Sequence, residues 1–397
     1  MASFGQLTLI VLAGLCGPLL AASRRLFVPV VLGELVAGVL LGRTGAGLIK
    51  STDPTIAFLG NLGFAVLMLV AGMNVPLRNP ALVTSLGRAG IAAAASAVLA
   101  VVGGLAIANA LDIGHPGVWA ILLGTGSAAI VLPALQEAGM SGGPALVAIA
   151  WVTIADVATI IAVPLVLNPS HALRAGLGTL AVAAGAALVY VLAHVLADVE
   201  AVKALRDQSR PRRWAFDLRM SLLALFALCA LAQWVGTSIL VAGFAAGLIV
   251  ALEGGPGRLS DQVSGVANGF LVPVFFVVLG AGLDVRALVR SPSQLGLAAS
   301  LIAGMVLVHL LAARFIRAPA WSALIVTAQL GVPAAVVQLG LADHVLKAGQ
   351  GAAIILAALV SLAVCAAGIS LARRTSVAAD TSMAADTSVA AHTSAGD

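Results

Sequence analysis

Charge is scarce in this chain: only 9% of its 397 residues are Asp, Glu, Lys or Arg, against about 25% in ordinary soluble domains. Aromatic residues are also few, at 4% with a single Tyr, while 61% of residues are hydrophobic. A water-soluble fold of this length cannot hide so much apolar surface, so lipid must be the solvent for most of it. The formal net charge of +5 would suggest nucleic acid in a soluble protein. Here Lys and Arg fall mainly in short loops between apolar runs, which is a topology signal rather than a nucleic-acid patch. Cysteine is rare too. Cys16, Cys229 and Cys365 lie inside apolar runs without the paired spacing of a zinc or redox site, and they read as small packing residues. The N-terminus lacks a basic leader with a small-residue cleavage site, so its apolar stretch reads as a first span.

What is present is a series of apolar segments near the length of about 20 residues that a bilayer requires. Thirteen can be drawn, at 6–22, 26–43, 55–73, 87–110, 117–137, 145–168, 173–197, 217–235, 237–253, 265–283, 294–314, 320–341 and 349–372. With the N-terminus outside, the outer loops hold only Arg43, Lys50, Arg174, Arg286, Arg290 and Lys347 of the 21 basic residues. All others, including Arg24, Arg25, Arg78 and Arg213, fall inside, and this bias predicts a cytoplasmic C-terminus. The charged stretch 198–217 divides the chain so that six spans precede the seventh and six follow it. The second set then enters the membrane from the opposite face, the arrangement of inverted-repeat transporters. Residues 375–397 repeat a Thr-Ser-x-Ala-Ala-Asp unit without large apolar anchors and are expected to be disordered. No glycine-rich dinucleotide fingerprint follows the last span, so no nucleotide-sensing domain is expected.

Against this background Asp156 stands out. It sits mid-way along ALVAIAWVTIADVATIIAVPLVLN, residues 145–168, with no other charge around it. A carboxylate at the centre of a span costs several kcal/mol and usually marks an ion or proton pathway. One segment earlier comes Gly124-Thr125-Gly126-Ser127 followed by Pro133, and the second-last span holds Gln329-Leu330-Gly331-Val332-Pro333. Glycine and proline release backbone groups that an unbroken helix satisfies internally, which a membrane tolerates only beside a cavity or within protein. Interruptions at matching places in two halves point to a midplane ion site. The alternative is that Gly and Pro are simply frequent in membrane helices.

Several runs resemble a known family. Residues 28–42, VPVVLGELVAGVLLG, are similar to the opening signature of bacterial Kef/Nap-type monovalent cation:proton antiporters, the membrane domain of the sodium/hydrogen exchanger family. Residues 62–73, 242–248 and 273–280 resemble three further motifs of it. The resemblance implies an all-α membrane protein of thirteen helices in inverted repeats with two crossed discontinuous helices, multi-pass in the bacterial plasma membrane and usually homodimeric. It implies scaffold spans in 1–83, core spans in 84–170, a linker helix in 171–198, a cytoplasmic loop with further scaffold spans in 199–290, and core spans in 291–374. The core would slide against the scaffold like an elevator. Two departures stand out. Family members carry an Asp-Asp or Asn-Asp pair where this chain has Ala155-Asp156, and many place Lys or Arg on the eleventh span, where the nearest equivalent here is His309.

On this reading Asp156 binds either a proton or a monovalent cation, Na+ or K+, and the competition couples the two fluxes without any cofactor. One titrating acid favours electroneutral exchange. Thr125, Ser127, Thr153 and Gln329 are candidate oxygen ligands, although hydroxyls in helices often bond back to their own carbonyls. Glu34, the other intramembrane acid, reads as a structural or dimer-side residue before an ion ligand. His309 either tunes the site or is a packing residue. The rival readings are transport of an organic ion or metabolite on the same fold, and a passive channel. An enzyme is not expected, because Ser127 has no well-placed His to activate it and an aspartyl mechanism needs two facing acids.

Overall fold

The computed structural model describes residues 3–22, 29–76, 80, 84–140, 142–167, 169, 172–212, 214–254 and 257–393. Among them every regular element is helical. Arg24, Arg25, Arg78 and Arg213, which entered the loop-charge argument, lie outside the described residues, as does Val28 of the first motif.

The first helices are α1 (Phe4–Ala21), α2 (Val30–Leu41), α3 (Pro54–Met73) and α4 (Leu86–Ala110). A helix pair follows, α5 (Pro116–Gly124) and α6 (Ala128–Glu137), then α7 (Gly143–Leu167) and α8 (Ala172–Ala197). The second half comprises α9 (Glu200–Arg212), α10 (Phe216–Val235), α11 (Ile239–Glu253) and α12 (Gly257–Val266). A π-helical segment, Ala267–Leu271, joins α12 to α13 (Val272–Gly282). The chain ends with α14 (Val285–Arg290), α15 (Pro292–Phe315), α16 (Ala320–Val326), α17 (Gly331–Ala342) and α18 (Ala348–Thr393). Eleven segments are long and apolar enough to cross a membrane, with α5–α6 and α16–α17 each counting as one. The shorter apolar helices α2 and α11 stand where the second and ninth of the thirteen spans were expected.

Helix ends follow local chemistry. Asp53 Oδ1 accepts from the N–H groups of Thr55 (3.0 Å) and Ile56 (3.3 Å), and Pro54 opens α3 where no N–H is needed. Gly236, at φ +74°, stops α10, and Ser238 caps α11 through the Leu240 N–H at 3.1 Å.

Packing divides the helices into two bundles. One apolar cluster joins α1, α2, α3 and α13, with Ile10, Ile56 and Val277 fully buried. A second joins α4, α6, α7, α15, α16 and α18 around Trp151 and Val326. A third and larger cluster spans both bundles, and α8 lies between them against α7, α10 and α11. The motif glycines are where backbones meet. A Cβ on Gly38 would strike the Val277 carbonyl, and one on Gly247 would strike that of Leu69. Small residues thus let α2 lie directly on α13 and α3 on α11, the usual means of helix association in lipid.

The charged stretch 198–217 contains a helix, α9, whose Arg206 Nε holds Asp217 Oδ1 at 2.9 Å. The last helix, α18, runs on through the Thr-Ser-x-Ala-Ala-Asp repeat as far as Thr393.

Because Gly247 touches backbone rather than a flexible side chain, Gly247→Val should destabilise the fold by about 1–3 kcal/mol, the usual range for overpacking. Thermal unfolding in detergent measures this, and an unchanged melting temperature would contradict the packing described.

Candidate functional site

The two broken helices meet. α5 ends at Gly124 because Thr125 turns to extended backbone (φ −81°, ψ 157°), and Ser127 remains extended (φ −133°, ψ 110°) until α6 begins. α16 ends at Val326, and Leu330 (φ −150°, ψ −45°) precedes the restart at Gly331. Each gap leaves helix-end groups without internal partners. The Thr125 N–H still reaches Ile121 O at 3.0 Å, while the next carbonyl, Leu122 O, accepts from Gln329 Nε2 at 3.0 Å. A Cβ on Gly126 would lie 2.6 Å from the Val326 carbonyl oxygen, so glycine is required for the gaps to approach. Pro133 lies inside α6, and Pro333 lies in the first turn of α17, where proline is tolerated. The interruptions themselves fall at 125–127 and 327–330, so the prolines follow the breaks rather than make them.

Helix α7 brings Asp156 to this crossing. The N–H of Ala128, the first residue of α6, donates to Asp156 Oδ2 at 3.1 Å. The carboxylate therefore sits at a helix N-terminus, where unpaired N–H groups and the helix dipole favour negative charge. Asp156 is 6% exposed and makes no ion pair among the described residues. Beside it, the Thr125 and Thr159 hydroxyls are 2.9 Å apart, and Thr159 Oγ1 lies 2.8 Å from Ala155 O and 3.0 Å from Asp156 O. Ser127 is buried at the entry to α6.

The other candidates divide. Thr153 donates to Ile149 O at 2.7 Å and is thereby bonded back to its own helix. Gln329 is 2% exposed, and its Nε2 also contacts Met305 Sδ at 3.2 Å. Among the described residues its Oε1 has no hydrogen-bond partner. Its N–H donates to Ser361 Oγ on α18 at 3.1 Å, which ties the second gap to the last span. His309 is fully buried, with its ring 5.5 Å from that of Trp151 and Nδ1 2.8 Å from Met305 O. With Nδ1 facing a carbonyl, the proton is on Nδ1 and Nε2 is a bare acceptor. His309 thus packs against Trp151, while Met305, one turn earlier on α15, is the residue that touches Gln329. Ala155 is buried and presents only its carbonyl to Thr159. Glu34 belongs to the other bundle. It is 3% exposed, packed against Gly17 of α1, and its Oε2 has no hydrogen-bond partner among the described residues.

With this geometry in place, residues 9–374 match the transmembrane domain of the sodium/hydrogen exchangers. The chain belongs to that family. YjbQ of Bacillus subtilis strain 168 is 24% identical over 386 residues, 90% of this chain and 61% of YjbQ. The Na(+)/H(+)-K(+) antiporter GerN of Bacillus cereus is 26% identical over 299 residues, covering 70% of this chain and 71% of GerN. The chain thus spans roughly two thirds of the length of these curated relatives. The solved structure of the sodium proton antiporter MjNhaP1 from Methanocaldococcus jannaschii has the same fold. Its TM-score is 0.60 over 93% of this chain and 97% of that one, at 16% identity. The expected all-helical exchanger fold is therefore present, and the chain is a multi-pass membrane protein.

The chain also has a cavity of about 300 Å3 between its bundles. Leu167 of α7 with Leu339 and Asp343 beside α17 face Arg174 of α8 and the Gly236–Ser238 turn. Three polar partners at the crossing were missed from sequence. Thr159 was detectable, because it lies three residues after Asp156 and so on the same helix face. Met305 and Ser361 carried no local signal, since only the packing of α15 and α18 brings them to Gln329.

Ser361 predicts a measurable dependence. Ser361→Ala leaves the Gln329 N–H unpaired in a buried gap and should cost about 1–3 kcal/mol of stability. The melting temperature in detergent should fall, and Ser361→Thr should recover part of the loss. Equal melting temperatures for the parent and Ser361→Ala would refute this role.

Proposed function

We propose that the chain is a secondary active antiporter that exchanges a monovalent cation, Na+ or K+, for H+. The observation that carries this reading is the Asp156 carboxylate, buried at the crossing of two broken helices and held by the first N–H of α6. A carboxylate in that position binds a proton or a bare cation at the same oxygens, and occupancy by one excludes the other. Thr125, Thr159 and the unpaired Gln329 Oε1 supply neutral oxygens, the ligand type that hard monovalent cations prefer. Thr153, like Thr159, gives its hydroxyl proton to its own helix and keeps its lone pairs for the same role. The relative GerN, a Na(+)/H(+)-K(+) antiporter by name, supports both the cation class and the exchange.

Access alternates when the α4–α7 and α15–α18 core slides against the α1–α3 and α10–α13 scaffold. The cavity between the bundles supports this motion. The loop-charge bias supports an outside N-terminus and a cytoplasmic C-terminus in the bacterial plasma membrane, and membership of the family supports a homodimer. One acid without an ion-pair partner supports one-for-one, electroneutral exchange.

In proteoliposomes Asp156→Asn should abolish Na+- or K+-dependent proton flux while leaving the fold intact, because the amide keeps the shape and loses the exchangeable charge. Flux equal to the parent's would eliminate the mechanism, and parental flux that ignores both cations would favour an organic substrate. Competition also fixes the pH dependence. Where protons outcompete the cation, its apparent KM should rise as pH falls, by at most about tenfold per unit for one proton at one site. Voltage-sensitive dyes should register no current, and a sustained cation-driven potential would rule out electroneutrality.

A further inference from the structure

Helix α3 of one bundle touches α17 of the other at two places in antiparallel register. Met68 Cε lies 3.4 Å from where a Gly331 Cβ would be, and Asn61 Oδ1 accepts from Gln338 Nε2 at 3.0 Å. Residues 61 and 68 share one face of α3, and 331 and 338 share one face of α17, because a seven-residue step is close to two helical turns. The two contacts differ in kind. A thioether against glycine presents no directional bond and can slide. An amide–amide hydrogen bond breaks when the helices shift by an ångström or two.

Both amides sit within membrane-length helices, yet Asn61 is exposed and Gln338 half-buried. The pair thus sits at the accessible edge of the α3–α17 contact. Leu339, next to Gln338, lines the cavity between the bundles. The pair therefore lies on the boundary along which the bundles would move.

We propose that the Asn61–Gln338 pair is a latch that holds the two bundles in the arrangement seen here and must part for the core to move. This rests on the alternating-access reading, so its test includes a readout independent of ion flux. Ala175 lines the same cavity from α8, and an Ala175→Cys probe, with the native cysteines replaced by alanine, reports its opening through the rate of labelling by a water-soluble thiol reagent. Asn61→Ala and Gln338→Ala should each change that rate by about threefold to tenfold, the factor associated with one neutral hydrogen bond. The double alanine variant should change it no further than either single one, because the two residues act through one bond. Exchanging the residues, Asn61→Gln with Gln338→Asn, should bring the rate back towards the parent's. Unaltered labelling in both single variants, or effects that add in the double, would overturn the latch. Labelling that responds as expected in a chain without cation-coupled proton flux would sustain the latch and defeat the antiport reading alone.

Discussion

A helix interrupted inside a bilayer releases donors and acceptors that have no water to turn to, and the arrangement of this molecule follows from how they are satisfied. Neither gap is self-sufficient. The Leu122 carbonyl is completed by the Gln329 amide from the other gap, the Ala128 N–H by Asp156 from α7, and the Gln329 N–H by Ser361 from α18. Those three bonds fix which helices must surround the crossing. The buried carboxylate of Asp156 is therefore part of what makes the break tolerable.

The two bundles solve their packing differently. In the scaffold, glycines bring backbone against backbone, as where Gly38 meets Val277 and Gly247 meets Leu69. Such contacts leave little room for adjustment, since a carbonyl cannot rotate away as a side chain can. In the core, alanine and aromatic side chains interlock instead, with Trp151 bonded through Nε1 to Ser96 Oγ at 3.2 Å. Between the bundles lie a cavity, part of the large shared apolar cluster and the directional Asn61–Gln338 bond.

Much of this was legible in the sequence because lipid imposes simple rules. Apolar length located the spans, and the two short ones, α2 and α11, were still found because loops bounded them on both sides. Asp156 was legible because any carboxylate there is an exception. The breaks were placed within a few residues, although Pro133 and Pro333 drew attention away from the non-helical residues 125–127 and 327–330. The eleventh-span register was less legible. An ionisable residue attracts notice and a thioether does not, so His309 was singled out while Met305 makes the contact with Gln329. Thr153 illustrates another limit, since helix spacing gives the face of a hydroxyl but not the carbonyl its proton chooses.

No Lys or Arg stands against Asp156 among the described residues, and the one ring nitrogen left over on His309 is an acceptor. A vacant, ionised pocket would then be the least tolerable species to carry through a low-dielectric interior, with only the tip of α6 to offset it. On the proposed antiport reading, the return stroke without cargo is then the disfavoured one, and the missing counter-ion suppresses slippage without any gate having to sense which passenger is aboard.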